Sequence, residues 1–421
     1  MHKNRVIIIG GGISGLSTAR YLTKAGWEVT VLEKGDFTDG CSYGNAGFVC
    51  PSHYIQLATP GIARQGLKWM LKSTSPFYIQ PRLDPALLRW GIHFLKRAKQ
   101  KYVAGNAAAL RDIGLLSQRE YEQVWLKEID FDYHHNGMLE VFQSPQAFKE
   151  CSHIAKVGQD LGLEILVLDK AGLERLEPDT RWNAMGAVYY KCDGHLNPGK
   201  LMHGLFADLA ALGVRLIPHQ KVTGFKKEGQ LITEVHAGEN VYKADSVVLA
   251  AGSWSEALAR QLHLNLPVVG GRGYSFKVPV HNDHRVHRPG LLVEGRAAFT
   301  PLGSELRFGG TMEIRKLDAP TSLNRVKGII RAVENFFPDY RGQLDFDKIR
   351  PHIWSGFRPV SVDGMPYIGK SAAIENLVVA TGHAQLGISL GAATGLLVSE
   401  LVRGVDTSIN ITTFGINRFN N

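Results

Sequence analysis

Residues 5–16 read RVIIIGGGISGL, and this stretch decides how the N-terminal part of the chain folds. Val6–Ile9 is a run of β-branched residues that is typical of a buried strand. It leads directly into Gly10–Gly15, which has the spacing G-x-G-x-x-G. The apolar residues of Leu16–Ala25 then recur at helical spacing. The stretch therefore predicts a strand, a tight glycine turn and a helix, in that order.

The glycines of this turn and the acid after the next strand have separate physical tasks. Gly10 permits the tight turn, Gly12 lets the backbone approach a pyrophosphate, and Gly15 lets the helix pack close to the strand. A second β run, Glu28–Leu32, ends at Glu33, whose carboxylate can accept hydrogen bonds from ribose hydroxyls. Together these features predict a dinucleotide site. The alternative is a glycine-rich turn in an ordinary βαβ unit.

Composition places the chain among ordinary globular proteins. Its 421 residues suggest two domains, or one large domain with an inserted part. The net charge of +9 could favour anionic membranes, acidic partners or acidic substrates, but no Lys/Arg block occurs, so a solvated surface is preferred and no nucleic-acid partner is predicted. No C-x-x-C spacing links the cysteines, so neither a metal site nor a disulfide is predicted. The four cysteines are Cys41, Cys50, Cys151 and Cys192.

Cysteine usage and the N-terminal sequence bear on location. A reducing, cytoplasmic compartment fits four cysteines without pairing signals. No signal peptide precedes the first strand, and no apolar run reaches 18 residues, so no membrane span is predicted. Peripheral attachment at the inner face of a membrane stays open, as does the oligomeric state.

The later segments predict an α/β fold with a divided nucleotide domain. The loop Gly40–Ser52 follows the second strand, where ligands bind in such folds. A buried strand, Asp245–Ala250, leads into small residues, and Leu377–Thr381 leads into a glycine turn and a predicted helix over Ile388–Leu401. Leu266–Val280, Gly290–Phe299 and Leu306–Glu313 alternate like antiparallel strands, and Ser322–Phe337 is predicted as a helix. We therefore predict a Rossmann-type nucleotide domain from residues 1–50, 191–265 and 351–421, and an inserted α+β substrate domain from residues 51–190 and 266–350 on a mostly antiparallel sheet.

The second glycine turn favours a flavin over a nicotinamide. A helix that begins near Gly387 would stabilise the negative charge that a reduced flavin ring gains near N1. The alternative is a closing helix that only packs on the sheet.

At this point the sequence resembles the D-amino acid oxidase and glycine oxidase superfamily of FAD enzymes. It is most similar to bacterial D-amino acid dehydrogenases of the small-subunit type, including their D-hydroxyproline dehydrogenase relatives. The motifs that carry the resemblance are Gly10–Gly15 with Glu33, CSYGNAG (41–47), LAAGSWS (249–255), SGFRPVSVDGMPYIG (355–369) and TGHAQLG (381–387). The family often has Gly-His-Gly where this chain has Gly382-His383-Ala384, and Ala384 would be expected to have ordinary backbone angles.

The resemblance implies a role for individual residues. Arg358 would bind a substrate carboxylate, because a guanidinium pairs with a carboxylate through two parallel hydrogen bonds. The next candidates for this role are Arg272, Arg296 and Arg307. Gln385 would offer its carbonyl to the substrate amine, and Tyr274, His53 and Tyr54 are candidates for the substrate wall. His383 invites a reading as catalytic base, which we discount because hydride transfer from a neutral amine needs only positioning. The predicted FAD-binding residues are Gly10, Gly12, Ile13, Ser14, Gly15, Glu33, Lys34, Ser42, Asn45, Ala46, Gly47, Val222, Ala251, Gly252, Trp254, Gly382, Leu386, Gly387 and Ile388.

The resemblance also implies an activity. It is the FAD-dependent oxidative deamination of D-amino acids by hydride transfer from Cα to flavin N5, with a quinone or another electron acceptor. D-Proline and D-hydroxyproline are candidate substrates. An oxygen-using glycine or sarcosine oxidase, and a flavin-binding subunit of a larger complex, stay open as alternatives. Some family members attach FAD through a C-terminal cysteine, but no cysteine follows Cys192, so non-covalent FAD is expected.

Overall fold

The computed structural model describes residues 4–56, 58, 76–280 and 285–419. Its strands are β1 (Arg5–Ile9), β2 (Glu28–Leu32), β3 (Phe48–Val49), β4 (Phe77–Ile79), β5 (Met138–Phe142), β6 (Ile165–Asp169), β7 (Gly186–Tyr190), β8 (Gly194–His195), β9 (Arg215–Ile217), β10 (Val222–Glu228), β11 (Leu231–Ala237), β12 (Asn240–Tyr242), β13 (Ser246–Leu249), β14 (Val268–Pro279), β15 (Gly290–Leu292), β16 (Ala297–Leu302), β17 (Glu305–Ile314), β18 (Trp354–Ser361), β19 (Tyr367–Lys370) and β20 (Leu377–Thr381). Its α-helices are α1 (Ile13–Lys24), α2 (Pro85–Arg97), α3 (Gln100–Gln123), α4 (Pro145–Asp160), α5 (Lys170–Leu176), α6 (Pro198–Ala211), α7 (Ser255–Gln261), α8 (Asn324–Phe336), α9 (Phe346–Ile349) and α10 (Gly391–Arg403).

A six-stranded sheet carries the N-terminal motif. Its order is β19-β20-β13-β1-β2-β9, and only the edge strand β19 runs antiparallel to its neighbour. The β1 side chains alternate between two apolar cores, with Val6 and Ile8 on one face and Ile7 and Ile9 on the other. Burial on both faces explains the continuous run of β-branched residues in this strand. The chain therefore has the predicted Rossmann-type sheet, with β1 at its centre.

A second, nine-stranded sheet stands beside the first. Its path is β18-β14-β17-β16-β15-β5-β7-β6, with β4 added on β17. The β15–β5 and β17–β4 pairs are parallel, and the other pairs in this sheet are antiparallel. The predicted α/β class with a mostly antiparallel substrate sheet is confirmed. Because β5 and β15 are far apart in sequence, both predicted parts of the substrate domain contribute to one sheet.

Two segments cross the domain boundaries that the sequence predicts. Strand β18 belongs to the nine-stranded sheet, although residues 351–421 were assigned to the nucleotide domain. Helix α3 packs on α10, and its buried residues share a core with Leu16 of α1, although residues 51–190 were assigned to the substrate domain. Both elements pack on segments that are distant in sequence, and composition along the chain does not reveal such contacts. In the described part of the chain, no helix has the length and apolarity needed to cross a bilayer.

Candidate functional site

The predicted glycine turn joins β1 to α1 at the carboxyl edge of the six-stranded sheet. Gly10 has φ of +113°, a region that side chains disfavour. A Cβ on Gly15 would lie 1.9 Å from the carbonyl oxygen of Gly10, so the helix and the strand meet as closely as the motif predicts. The Ile13 amide donates to Ser42 Oγ at 3.1 Å. The turn and the loop after β2 are thus joined directly.

Glu33 and Lys34 form one end of this region. The two carboxylate oxygens of Glu33 accept hydrogen bonds from the amides of Gly11, at 2.6 Å, and Gly35, at 2.9 Å. These bonds hold the carboxylate at the end of β2. Lys34 Nζ lies 3.3 Å from the ring centroid of Trp254, and burial lowers the pKa of this lysine. The lysine therefore stands against the aromatic ring that follows β13.

An elongated cleft of about 490 Å³ runs along this edge. A Cβ on Gly12 would meet only Ser42 Oγ, at 3.7 Å, so the backbone of Gly12 faces open space that a pyrophosphate can approach. The cleft therefore fits a bound dinucleotide. The predicted cofactor residues that line it are Gly10, Gly12, Ile13, Ser14, Glu33, Lys34, Ser42, Asn45, Val222, Ala251, Gly252, Trp254, Gly387 and Ile388.

Five predicted cofactor positions lie elsewhere. Gly15 is taken up by the packing of helix on strand. Gly47 and Gly382 have φ of +82° and +81°, and they shape the turns that carry their neighbours. Ala46 and Leu386 line a second cavity. The prediction assumed that neighbouring residues of each motif all contact the cofactor, whereas successive residues of a turn point in different directions.

The C-terminal turn differs from the expectation in two ways. A 3₁₀ turn, Ala384–Leu386, precedes a further turn, and α10 begins at Gly391 rather than near Gly387. The predicted helix start is therefore wrong by four residues. Ala384 has φ of +47°, so the expectation of ordinary backbone angles is also wrong. This alanine adopts a left-handed conformation that costs an L-residue about 1–2 kcal/mol.

A second cavity of about 540 Å³ lies between the two sheets. Cys41, Asn45 and Ala384 line both this cavity and the cleft, so the two spaces adjoin at these residues. Its apolar lining includes Phe48, Phe77, Ile79, Trp90, Phe94, Leu291, Met312 and Trp354. A flavin ring placed at the shared residues would face a substrate in this cavity.

The cavity is lined by three arginines, Arg296, Arg307 and Arg358, which bring positive charge to it. Arg358 donates to the carbonyl oxygen of Thr311, and Arg307 donates to that of Asn45. Neither guanidinium is within ion-pair distance of a described carboxylate, and Arg307 Nε is buried without a hydrogen-bond partner. Burial lowers the pKa of Arg358 and lowers that of Arg307 to about 10, which leaves Arg307 protonated at neutral pH. Arginine side chains keep their charge in proteins. The cavity is therefore built to receive an anionic group.

A bulge in the nine-stranded sheet positions Arg358. Between β14 and β17 the register shifts at Gly273, and Thr311 has φ of +70° on the opposite strand. Bulges of this kind redirect a strand beside functional sites. A Cβ on Gly273 would lie 2.3 Å from both terminal nitrogens of Arg358. Glycine at 273 therefore leaves the space that the guanidinium occupies.

The three candidates for the substrate wall have different surroundings. Tyr274 lines the cavity, but its hydroxyl donates to Glu313 at 2.6 Å and accepts from the Ser322 amide at 2.9 Å. His53 also lines the cavity, and burial lowers its pKa to about 4. Tyr54 is fully buried outside both cavities, and its hydroxyl donates to the Ile154 carbonyl. Its assignment to the wall is wrong, since it points into the core.

His383 and Gln385 are the chain neighbours of Ala384, which lines both cavities. His383 lies in the cleft with Nε2 3.0 Å from Thr394 Oγ1, and burial lowers its pKa to about 4. The histidine is neutral at physiological pH. Gln385 lines the second cavity, and its carbonyl oxygen accepts a hydrogen bond from Asn45 Nδ2 at 3.2 Å. That oxygen retains a second lone pair for a ligand.

The structure brings together three side chains that the sequence did not connect. Ligand atoms of Cys50, His53 and Asp193 lie within 4.8 Å of one another. Asp193 accepts hydrogen bonds from the amide and the hydroxyl of Ser52, and burial raises its pKa to about 7. These bonds account for the carboxylate, so we assign the cluster to the support of the His53 loop.

Sequence reasoning missed much of the cavity. Arg307 was only a reserve candidate, and Thr300, Met312 and Trp354 were not considered. Thr300 Oγ1 donates to the Ala46 carbonyl at 2.7 Å and so connects β16 to the loop Gly40–Ser52. No local motif marks these residues, because strand pairing in the nine-stranded sheet brings them to the cavity.

The fold and the two adjoining cavities define a class of protein that binds a dinucleotide in the cleft, with a substrate in the second cavity beside it. Comparison with known proteins is consistent with this geometry, since a model for FAD-dependent oxidoreductases of the DAO family matches residues 5–401. The chain belongs to this family, and its cofactor is FAD.

Relatives and solved structures extend the comparison. A D-amino acid dehydrogenase from Paramagnetospirillum magneticum is 31% identical over 426 residues, covering 99% of each chain. One from Helicobacter pylori is 29% identical over 399 residues, covering 95% of each. The crystal structure of glycine oxidase from Geobacillus kaustophilus has a TM-score of 0.73 at 23% identity, with 99% of each chain covered. L-proline dehydrogenase from P. horikoshii has a TM-score of 0.72 at 16% identity, covering 100% of this chain and 98% of the other. The solved structures share the fold.

Proposed function

We propose that this chain oxidises a D-amino acid to its imino acid. Water then hydrolyses the imine of a primary amine to a 2-keto acid and ammonia, whereas the cyclic imine of a proline-type substrate keeps its nitrogen in the product. The observation that carries the proposal is the pair of cavity arginines, Arg307 buried and Arg358 partly buried, without a carboxylate partner among the described residues. The full-length similarity to proteins named D-amino acid dehydrogenase supports it. FAD held along the glycine turn Gly10–Ser14 and Glu33 would supply the acceptor for a hydride from the substrate Cα.

The arginines select and orient the substrate. Arg358 binds the carboxylate, and Arg307 adds a second positive charge on the same cavity. The Gln385 carbonyl accepts a hydrogen bond from the amine. Fixing both groups leaves the Cα–H bond with one orientation toward the shared residues, which is the contribution that positioning makes to catalysis.

The cavity also promotes loss of the amine proton. No Asp or Glu occurs among the described residues that line it, while Arg358 and Arg307 both do. Nearby positive charge disfavours an ammonium group, so the bound amine has a lowered pKa. The proton leaves to solvent, and neither His53 nor His383 needs to act as a base.

The lining indicates the side-chain class. Phe77, Ile79, Trp90, Phe94 and Met312 offer apolar contact, which suits aliphatic or cyclic side chains such as those of D-proline and D-hydroxyproline. Cationic side chains would meet the arginines. We propose a quinone or another non-oxygen acceptor for the electrons, following the names of the relatives.

An anaerobic screen of amino acids tests the proposal. Purified holoenzyme is mixed with single D- and L-amino acids, and flavin absorbance is followed by stopped flow. Rapid bleaching with a D-amino acid and none with its L-enantiomer is expected. Bleaching by the L-enantiomer alone, or by no amino acid, would overturn the proposal. Stoichiometric hydrogen peroxide in air would replace the dehydrogenase by an oxidase.

A further inference from the structure

Strand β6 ends the path of the nine-stranded sheet, and no described strand pairs with its outer edge. On its inner edge β6 pairs with β7 in a regular antiparallel register. The neighbouring helices pack on opposite faces of these strands, because α4 shares a core with Ile165 whereas α5 shares another with Ala187. The helices cover the faces of the sheet, so the edge of β6 is open in the described part of the chain.

The peptide groups of β6 alternate between β7 and this open edge. The Lys191 amide donates to the Glu164 carbonyl at 3.0 Å, so the even-numbered residues exchange hydrogen bonds with β7. The odd-numbered residues, among them Ile165 and Val167, therefore direct their peptide groups outward. In agreement, the Ile165 carbonyl accepts a hydrogen bond from Gln159 Nε2, at 2.9 Å, and not from β7.

The open edge carries exposed apolar side chains. Leu166 and Val167 are 45% and 39% exposed. Edge strands are ordinarily protected from pairing with another chain by lysine, proline or a bulge. β6 contains neither lysine nor proline, and its pairing with β7 has no bulge. The strand is therefore suited to pair with a further strand.

We propose that β6 pairs with the β6 strand of a second copy of this chain, antiparallel and about a twofold axis at Val167. The segment EILVLDK, centred on Val167, is nearly self-complementary when one strand is reversed. In this register Val167 lies opposite its own copy, Leu166 lies opposite Leu168, and Glu164 lies opposite Lys170. Apolar pairs and opposite charges directly across a sheet are stabilising.

The neighbouring registers fit less well. Outward peptide groups of the two strands also meet when the axis lies at Leu166 or at Leu168. Those registers place Glu164 opposite Leu168, or Lys170 opposite Leu166, so that a charge faces an apolar residue. With the axis at Val167 both charges are paired, and the twofold symmetry repeats each pair. A second copy is therefore the partner that matches this edge.

The proposed interface is remote from the cofactor and substrate cavities. No residue from 164 to 170 lines either of them. Strands β15, β5 and β7 separate β6 from β14, β16, β17 and β18, which contribute to the second cavity. Flavin content and bleaching by substrate should therefore be the same in monomer and dimer, and the proposal does not depend on the proposed function.

A charge swap tests the register. Sedimentation of the full-length holoenzyme at increasing protein concentration should show a monomer–dimer equilibrium. Glu164→Lys and Lys170→Glu each create two like-charge pairs, so each should weaken dimerisation about tenfold. The double variant restores both pairs and should dimerise like the wild-type protein. Within one chain these side chains pair with Lys191 and Glu174, and the swap does not restore those ion pairs, so its recovery isolates the contact between copies.

A substitution at the axis tests the edge itself. Val167→Lys places two like charges opposite each other and should abolish dimerisation. The matched control is Val241→Lys, because Val241 is 52% exposed on β12, an edge strand of the three-stranded sheet. The control should dimerise normally, and circular dichroism should show that all variants are folded.

Each contrary outcome overturns the proposal. A wild-type holoenzyme that stays monomeric at every concentration excludes the interface. A dimer that persists in Val167→Lys lies on another surface. Failure of the charge swap to recover, or equal loss in the Val241→Lys control, shows that the effect does not come from pairing at β6. Since flavin bleaching is measured separately on the same variants, the interface can fail while the proposed activity stands.

Discussion

Replacing Arg358 by alanine should remove the anchor of the substrate carboxylate. Loss of one partner from a buried, hydrogen-bonded charge pair costs on the order of 2–5 kcal/mol. At about 1.4 kcal/mol per tenfold, the apparent dissociation constant should rise by roughly 30-fold or more. Arg358→Lys should recover part of this, because an ammonium cannot form the two parallel bonds. FAD content should stay normal, since Arg358 lines the substrate cavity and not the cofactor cleft.

Gly273→Ala tests the same anchor while keeping its charge. The new Cβ would overlap the Arg358 guanidinium, at 2.3 Å from both terminal nitrogens, so the fork must move. Affinity should fall by about tenfold or more, since a displaced fork loses about one charge-assisted hydrogen bond. Arg272→Ala is the matched control, because Arg272 is buried against Phe357, at 4.3 Å, outside the cavity lining.

The assay is the reductive half-reaction, with flavin bleaching measured against substrate concentration for each variant. Unchanged substrate dependence in Arg358→Ala would refute the assignment. If Arg307→Ala then loses affinity instead, the anchor is Arg307. Equal loss in the Arg272→Ala control would show that the effect comes from damage to the sheet and not from carboxylate binding.

Four further predictions concern the cofactor and the turns. Gly12→Val should fold, because a Cβ has space beside Ser42, but should lose FAD; circular dichroism with flavin absorbance checks this, and normal FAD content would contradict the cleft assignment. Acid precipitation should release FAD equally from the wild-type protein and from Cys41→Ser, because burial raises the pKa of the Cys41 thiol to about 11 and leaves it unreactive. Colour retained in the pellet would contradict non-covalent FAD. In the folded protein His383 has a pKa of about 4 and is neutral. The stability that it contributes is therefore present above pH 6.5 and is lost as pH falls toward 4, by on the order of 3 kcal/mol. His383→Asn should flatten the pH dependence of the free energy of unfolding over this range, and an unchanged slope would contradict the role of His383. Ala384→Gly should stabilise by about 0.5–1 kcal/mol in urea unfolding, as relief of left-handed strain exceeds the added chain entropy, and clear destabilisation would contradict the positive φ.

Local patterns sufficed for the parts of the fold that depend on nearby residues. The strand β1, its glycine turn and α1 follow from side-chain size and spacing within 20 residues. The α4 helix, Pro145–Asp160, is similarly local, with proline at its first position and Ser144 as cap.

Other features depend on contacts that are distant in sequence. Arg307 reaches the cavity only because β17 pairs with both β14 and β16. The predicted start of α10 lies too early in the chain. The helix begins at Gly391, and no side chain caps it, so the sequence does not mark the position. Tyr54 was assigned with His53 as neighbours in sequence, but adjacent residues in an extended segment face opposite sides. Alanine itself gives no signal for the positive φ of Ala384, and only the glycine that the family often has at this position indicates it.

The division of the six-stranded sheet along the chain has a consequence for biosynthesis. β1 leaves the ribosome early, but its partner β13 and the next strand, β20, are made much later, and α10 follows β20. The cofactor cleft needs residues from both ends of this sequence, so it cannot form on a nascent chain that stops before Ile388. The apolar faces of β1 and α1 must wait in a partly folded state, which is the stage at which such chains aggregate. FAD binds only after this stage, and by joining early and late segments it stabilises the finished fold by mass action. Flavin supply during expression should therefore determine the yield of soluble protein.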